Sequence, residues 1–331
     1  MAKYKIVFTD DRFGGEHYDE YEFKQLEGID AEIVMYKDGE LNTDEKVIEA
    51  CKDADAIFLN LVPSFKKAEV IKELKNCKII NRYGVGFDNV NVAACTEMGI
   101  QVTYVPDYAT EDVSDHSVGL LFACLRQISL RDREIRKGAW NIPSNGVSHR
   151  VVGKTLGVVG CGRIAQGLVR KVSGFGLERV LAYDPYIPAE FLAERGIEKV
   201  ELDYLLENSD FISLHMPVTP ETTKMIDERA LKLMKKDCIL INTGRGPLID
   251  DDALVAALKE RRIGAAGLDV YWVEPLPNDH PFKELDNVVM TDHAAYDTVE
   301  GARELRIKSG INIANMLKGE PLTPAYKVNF K

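Results

Sequence analysis

The sequence predicts an α/β protein made of two successive βα domains. Short β-branched runs alternate with longer helix-patterned stretches along nearly all of its 331 residues. That length corresponds to about two domains at roughly 150 residues each, and the alternation stops and restarts once, at Lys154. Strands separated by helical stretches imply parallel sheets, because a parallel return needs a crossover connection.

In the first series the expected strands are Lys5–Thr9, Glu32–Tyr36, Ala56–Leu61, Lys78–Arg82 and Gln101–Val105. Amphipathic stretches at Thr43–Asp53 and Ala68–Lys75 lie between them, with Asn42 or Thr43 placed to cap the first. The second series contains Thr155–Gly160, Val180–Asp184, Phe211–Met216, Cys238–Asn242, Gly264–Asp269 and Val288–Thr291, with helical patterns at 163–173, 228–236 and 251–261. From about Glu111 to Lys137, apolar residues recur at helical spacing (Val113, Val118, Leu121, Leu125, Ile128), with Gly119 as the one breaker. This long helix reads either as a plain connection or as one that also packs on a partner subunit. A similar stretch, Val299–Leu317, follows the last strand and is placed to return the chain to the first domain.

Composition narrows the function. The chain is 45% hydrophobic and 29% charged, with a net charge of −11 and a pI near 5.2. An acidic protein lacks the basic face that nucleic acid or an anionic membrane surface requires, so neither is an expected partner. No window approaches about 18 consecutive apolar residues, which a spanning helix needs. The first fifteen residues hold no apolar run of signal-peptide length. The six cysteines form no C-x-x-C pair and sit among apolar neighbours, reading as reduced core thiols of a cytoplasmic protein and not as a metal site.

The most informative motif is Gly160-Cys161-Gly162-Arg163-Ile164-Ala165, a G-x-G-x-x-A that follows an apolar strand and opens a helical pattern. Asp184 ends the next strand, 22 residues after Gly162. That is close to the roughly 20-residue spacing of a dinucleotide-binding unit. Gly160 permits the tight turn, Gly162 opens the backbone to a pyrophosphate, and the helix starting near Arg163 aims its positive end at that anion. Ala165 keeps the helix near the sheet. A carboxylate at 184 suits ribose hydroxyls and repels a 2′-phosphate, and no arginine follows it, so NAD is favoured over NADP.

Further blocks carry a resemblance to a known family. They are Asn81-Arg-Tyr-Gly-Val-Gly-Phe-Asp88, Gly153-Lys-Thr-Leu-Gly through Ile164, and Ser213-Leu-His-Met-Pro217 with Thr219 and Thr222. Downstream come Asn242-Thr-Gly-Arg245-Gly, Gly267-Leu-Asp269-Val with Glu274-Pro-Leu-Pro277, and Asn287-Val through Thr291-Asp-His293-Ala. In this order they resemble the D-2-hydroxyacid dehydrogenase family. Phe87-Asp88-Asn89, Pro106-Asp107-Tyr108 and His293-Ala-Ala-Tyr296 most resemble its C-terminal-binding-protein branch. The resemblance implies a flavodoxin-like substrate domain at 1–102 with the tail 298–331. A Rossmann NAD-binding domain at 103–297 is inserted in it.

It also implies an activity, the NAD-dependent interconversion of a small 2-oxo acid and its D-2-hydroxy acid, and a homodimer. Arg245 matches the family's arginine, able to fork onto the carboxylate and carbonyl oxygens. His293 matches the acid/base, and Glu274 the carboxylate that orients it. Backbone N–H groups at Val85 and Gly86 are expected to complete the carboxylate site. Arg82, Tyr83 and Tyr296 are candidates for substrate contact, as is Trp272. Gly160, Gly162, Arg163, Ile164, Asp184, Pro217, Thr222, Thr243 and Gly244 are expected to line the cofactor, and Asp269 to meet the nicotinamide carboxamide. His116, His149 and His215 receive no catalytic role. The segment Phe58-Leu-Asn60-Leu61-Val62-Pro63 lacks the basic residue that phosphoglycerate-acting relatives place nearby. Asp292 stands where a proline usually precedes the histidine. A rival expectation, from the C-terminal-binding branch, is an NAD(H)-sensing interaction protein with weak catalysis.

Overall fold

Apolar runs of four or five residues become buried parallel strands in both halves of the sequence. The computed structural model describes residues 2–11, 17–60, 65–140 and 148–330. Leu61, the last residue of one expected strand, and the following Val62 and Pro63 lie outside them. The chain divides into two units, Met1–Ala109 with Thr298–Lys331, and Thr110–Asp297.

The first unit contains β1 (Tyr4–Phe8), α1 (Glu22–Gln25), β2 (Ala31–Met35), α2 (Asp44–Cys51) and β3 (Ala56–Leu59), then α3 (Ala68–Lys72), β4 (Ile79–Arg82), α4 (Val92–Glu97) and β5 (Gln101–Thr103). The strands are parallel in the order β2-β1-β3-β4-β5, the flavodoxin-like arrangement. β3, Ala-Ile-Phe-Leu, is buried along its whole length, as a strand covered on both faces requires. Thr43 caps α2 by accepting the Lys46 amide at 3.4 Å. Residues 103–109, expected in the second domain, group with the first unit, where the Val105 amide bonds Gly84 O and the Tyr104 amide bonds Tyr326 O.

The tail helix Val299–Lys318 belongs to this first unit. Arg306 grips both oxygens of Glu22 at 2.8 and 2.9 Å, and both side chains are buried. The guanidinium also lies 4.5 and 4.9 Å from the ring centroids of Tyr18 and Tyr21. Tyr83, a candidate for substrate contact, is here too: it is 5% exposed and its hydroxyl donates to Glu22 Oε1 at 3.0 Å. Burial, reinforced by the Glu22 charge, pushes its hydroxyl well above the usual tyrosine range. The polar end of the ring is thus engaged inside the unit.

The second unit opens with α5 (Thr110–Leu125) and α6 (Ile128–Arg136). It continues through β6 (Thr155–Val159), α7 (Arg163–Val172), β7 (Arg179–Tyr183), α8 (Ala189–Ala193), β8 (Glu198–Lys199), α9 (Leu202–Asn208) and β9 (Phe211–Leu214). It closes with α10 (Glu228–Leu233), β10 (Ile239–Asn242), α11 (Asp251–Lys259), β11 (Ala265–Leu268) and β12 (Val288–Met290). The parallel sheet runs β12-β11-β10-β9-β6-β7-β8. Its order reverses between β6 and β9, the doubly wound switch point where α/β sheets bind ligands. One face buries Leu214, Leu240, Leu254 and Leu268, the other Leu120, Leu156, Leu168 and Ile241.

One expectation needs correction, and one strand was not expected. The single helix of 111–137 is two helices, broken where Gln127 takes φ 54°. Apolar spacing runs on through Ile128, but no residue of α6 is buried, so no packing holds the second segment to the first one's axis. The two-residue edge strand β8 is too short to give a periodic signal.

Removing one partner of a buried ion pair leaves the other charge uncompensated. Arg306→Met is therefore expected to cost about 3–5 kcal/mol in urea unfolding. Combining it with Glu22→Gln should cost less than the two single changes summed; strict additivity would show that the pair does not act as a unit.

Candidate active site

The glycine turn sits at the C-terminal end of β6, beside the switch point. Gly160 has φ 83°, and a Cβ there would lie 2.7 Å from Met216 Cγ and 3.1 Å from the His215 carbonyl, so the turn closes on β9 only with glycine. Gly162 begins α7 with no side-chain cap, leaving the first-turn amides to an anion. Gly162 and Arg163 are exposed and Ile164 is half-buried.

Asp184 is 9% exposed. Its Oδ2 accepts the Cys161 amide at 2.9 Å, and its Oδ1 those of Tyr186 and Ile187 at 2.9 and 3.1 Å. A carboxylate has about four acceptor positions, so Oδ2 retains capacity for one ribose hydroxyl while the group ties the glycine turn to β7. These residues fit a dinucleotide. His215, by contrast, bonds Ser213 Oγ at 2.8 Å, and burial pushes its imidazole down to about 4. It is neutral at physiological pH and serves the floor of the turn. Thr222 was expected beside the cofactor, but its hydroxyl donates to Pro217 O and accepts the Thr219 amide, both at 2.7 Å. It staples its own loop, while Pro217 is exposed.

β10 leads into the turn that carries Arg245. The buried Asn242 spans it, accepting the Gly244 amide at 3.1 Å and donating to Arg245 O at 2.9 Å. Thr243 is buried against Ser117. A Cβ on Gly246 would fall 2.0 Å from the Tyr271 carbonyl carbon, so glycine alone lets this turn approach the 271–274 loop. Arg245 is half-buried, with Nη1 donating to Gly244 O, and its charge reaches Glu274.

Glu274 Oε2 lies 2.7 Å from His293 Nδ1, with side chains 33% and 23% exposed. Glu274 Oε1 accepts the Tyr271 amide at 3.0 Å. Partial burial works to raise the Glu274 carboxyl. The His293 hydrogen bond and charge, the Tyr271 amide and Arg245 outweigh it and hold the group below its ordinary value. His293 has φ 60°, a left-handed conformation costing a non-glycine residue on the order of 1–3 kcal/mol.

The bonds that hold this turn converge on Asp269. The Asp269 carbonyl accepts the His293 amide at 2.8 Å. The carboxylate accepts the Thr291 hydroxyl at 2.6 Å and the amides of Ala294 and Ala295 at 2.9 and 3.1 Å. Its exposure is 0%, so the carboxylate expected to meet a nicotinamide is covered here by the turn that it holds. The Tyr296 ring stands edge-on to His293, with centroids 6.2 Å apart.

In the first unit, the loop after β4 carries the remaining candidates. Arg82 is buried and Val85 and Gly86 are half-buried. Among the described residues, the amides of Val85 and Gly86 make no hydrogen bond, which leaves them available to an anion. Sequence reasoning missed Met216, which packs under Gly160, and gave no role to His116, whose Nε2 is 2.9 Å from Thr291 Oγ1. Met216 lies within the quoted 213–217 block, but nothing in that block marks its contact with the glycine turn, and His116 lies in no quoted motif.

A doubly wound sheet with a glycine turn at its switch point is the arrangement of a dinucleotide-binding domain, and a guanidinium, a carboxylate and an imidazole stand on neighbouring turns of the same unit. Residues 118–295 match the family described as D-isomer specific 2-hydroxyacid dehydrogenase, NAD binding domain. The chain is 40% identical to a glyoxylate reductase of Korarchaeum cryptofilum over 87% of both sequences. It is 39% identical to a D-3-phosphoglycerate dehydrogenase of Methanocaldococcus jannaschii, over 84% of this chain and 52% of that one. A solved D-lactate dehydrogenase from Aquifex aeolicus, complexed with NAD and lactic acid, superposes with TM-score 0.85 at 28% identity, covering 98% of each chain. This chain belongs to the D-isomer specific 2-hydroxyacid dehydrogenase family and is an NAD-dependent oxidoreductase. These relatives give no support to the C-terminal-binding branch or to the NAD(H)-sensing alternative.

The lowered Glu274 carboxyl sets a sign for pH dependence. Its folded pKa lies below its unfolded one, so its stabilisation is present above the ordinary value of 4.5 and is lost as pH falls through the lowered value. Glu274→Gln is expected to be less stable than the parent at pH 7, by a difference that shrinks in strong acid. Urea midpoints at pH 7 and in strong acid check this, and an unchanged difference contradicts it.

Proposed function

We propose that the protein reduces a small 2-oxo acid to its D-2-hydroxy acid, using Arg245, Glu274 and His293. The 2.7 Å bond between Glu274 and His293 Nδ1 carries this reading, because it leaves Nε2 as the nitrogen able to exchange a proton with substrate. Arg245 holds the substrate carboxylate with a fork that also polarises the carbonyl. Bound NADH supplies hydride to the carbonyl carbon. As negative charge grows on the carbonyl oxygen, protonated His293 delivers the Nε2 proton, and Glu274 stabilises the imidazolium before that transfer. Oxidation runs the same proton path in reverse. Tyr296, edge-on to the imidazole, is proposed to shape selectivity. Gly160, Gly162, Arg163, Ile164, Asp184, Pro217, Thr243 and Gly244 are proposed cofactor contacts.

The glyoxylate reductase relative supports a substrate with little or no side chain. Following NADH absorbance with glyoxylate, hydroxypyruvate and pyruvate should give turnover with at least one of them. His293→Ala should lower kcat by about 10²–10⁴-fold, the usual contribution of general acid–base catalysis, with NADH binding retained. Absence of turnover across the panel, or loss of binding alone, contradicts the assignment.

The six free, buried thiols support a reducing, cytoplasmic setting. No helix among the described residues is long and apolar enough to cross a membrane. A homodimer is proposed because α6 buries none of its residues and exposes Ile128 and Ile135 at 55% and 51%. Light scattering at micromolar concentration should give twice the chain mass, and a monomer contradicts it.

A further inference from the structure

Two adjacent residues of α5 touch the two turns that carry the proposed catalytic pair. His116 Nε2 lies 2.9 Å from Thr291 Oγ1, on the His293 turn. Ser117 Oγ lies 2.9 Å from Thr243 Oγ1, on the Arg245 turn.

The protons fix the direction of both bonds. Thr291 has one hydroxyl proton and donates it to Asp269 Oδ1 at 2.6 Å, so towards His116 it can only accept. His116 therefore carries its proton on Nε2. That proton also faces Asp269 Oδ1, 3.5 Å away, adding positive character beside a carboxylate that has no exposed surface. Ser117 gives its own proton to Val113 O at 2.8 Å, so Thr243 donates to Ser117.

The helix presenting these groups is closely seated. A Cβ on Gly167 of α7 would lie 2.8 Å from Ser114 Oγ, and one on Gly267 of β11 would lie 3.0 Å from Leu120 Cβ. α5 therefore rests on both elements at a separation that glycine permits, and a shift of the helix would carry both turns with it.

We propose that His116 and Ser117 are positioning residues, a clamp through which α5 fixes the Arg245 turn relative to the His293 turn. The inference rests on the reading of Arg245 and His293 as the catalytic pair. Neither clamp residue is placed on the reacting atoms. His116 acts through Thr291 and Asp269 on the left-handed His293 turn, and Ser117 acts through Thr243 on the backbone that leads into Arg245.

Kinetics of 2-oxo acid reduction and imidazole NMR of the ligand-free protein test the clamp together. His116→Leu is expected to lower kcat about 10- to 100-fold, the scale of a small misplacement of catalytic groups, while KM for NADH stays within about twofold. His116→Gln, whose amide can donate to Thr291, should recover most of the loss. Equal loss in the two variants, or a loss confined to KM for NADH, overturns the proposal. In ¹⁵N spectra His116 should be the Nε2–H tautomer, and His116→Leu should shift the His293 signals. An Nδ1–H tautomer or unmoved His293 signals also overturn it. Should His116→Leu not fold, His116→Gln and Thr291→Val carry the same measurements. Wild-type turnover that His293→Ala abolishes, alongside an unaffected His116→Leu, rejects the clamp and keeps the proposed function. Absent wild-type turnover rejects that function, and the spectra then decide the clamp.

Discussion

A carboxylate with no exposed surface must have its charge met by donors, and Asp269 draws most of them from a single turn. The Thr291 hydroxyl and the amides of Ala294 and Ala295 all point to it, while its carbonyl holds the His293 amide. His293 is thereby kept in a backbone conformation that a non-glycine residue seldom takes. The same β11 end leads into the 271–274 loop, so the imidazole and the carboxylate that orients it are held by two segments anchored at one point. The left-handed turn persists because its hydrogen bonds over-determine it.

The cofactor side follows a different logic, in which backbone does most of the recognition. Gly160 brings the turn against β9, and the uncapped start of α7 offers amides with nothing local to satisfy them. Asp184 shapes the glycine turn through its bond to the Cys161 amide and keeps acceptor capacity on the same oxygen. A protein of net charge −11 must reverse its field locally to hold anions. Here the helix amides, exposed Arg163 and half-buried Arg245 supply the positive charge. Asp292 is exposed, so the acid beside His293 has its charge screened by water.

Within the family, the relatives include reductases and dehydrogenases of several 2-hydroxy acids on one framework. The shared chemistry resides in groups that meet any 2-oxo acid: a fork for the carboxylate and a proton donor for the carbonyl oxygen. Discrimination among substrates falls to side chains beyond that common core. Tyr296 stands edge-on to the imidazole, whereas the Tyr83 hydroxyl is engaged with Glu22 in the interior of the first unit.

The longer strands and their order, the parallel sheets, the glycine turn and its acid were legible in the sequence, because each depends on local periodicity or fixed spacing; the short elements α1, α4, α8, β8 and α9 were not. Arg245, Glu274 and His293 could be named from their motifs, yet nothing in linear order says that 274 and 293 meet. Three features needed the tertiary structure. The helix break at Gln127 is a left-handed backbone conformation that apolar spacing does not report. The internal bonding of Thr222 and Tyr83 depends on where their hydroxyls point. That Asp269 anchors the histidine turn could be seen only in the fold, because burial on all sides, and the choice of hydrogen-bond partner that goes with it, are properties of neighbours distant in the chain.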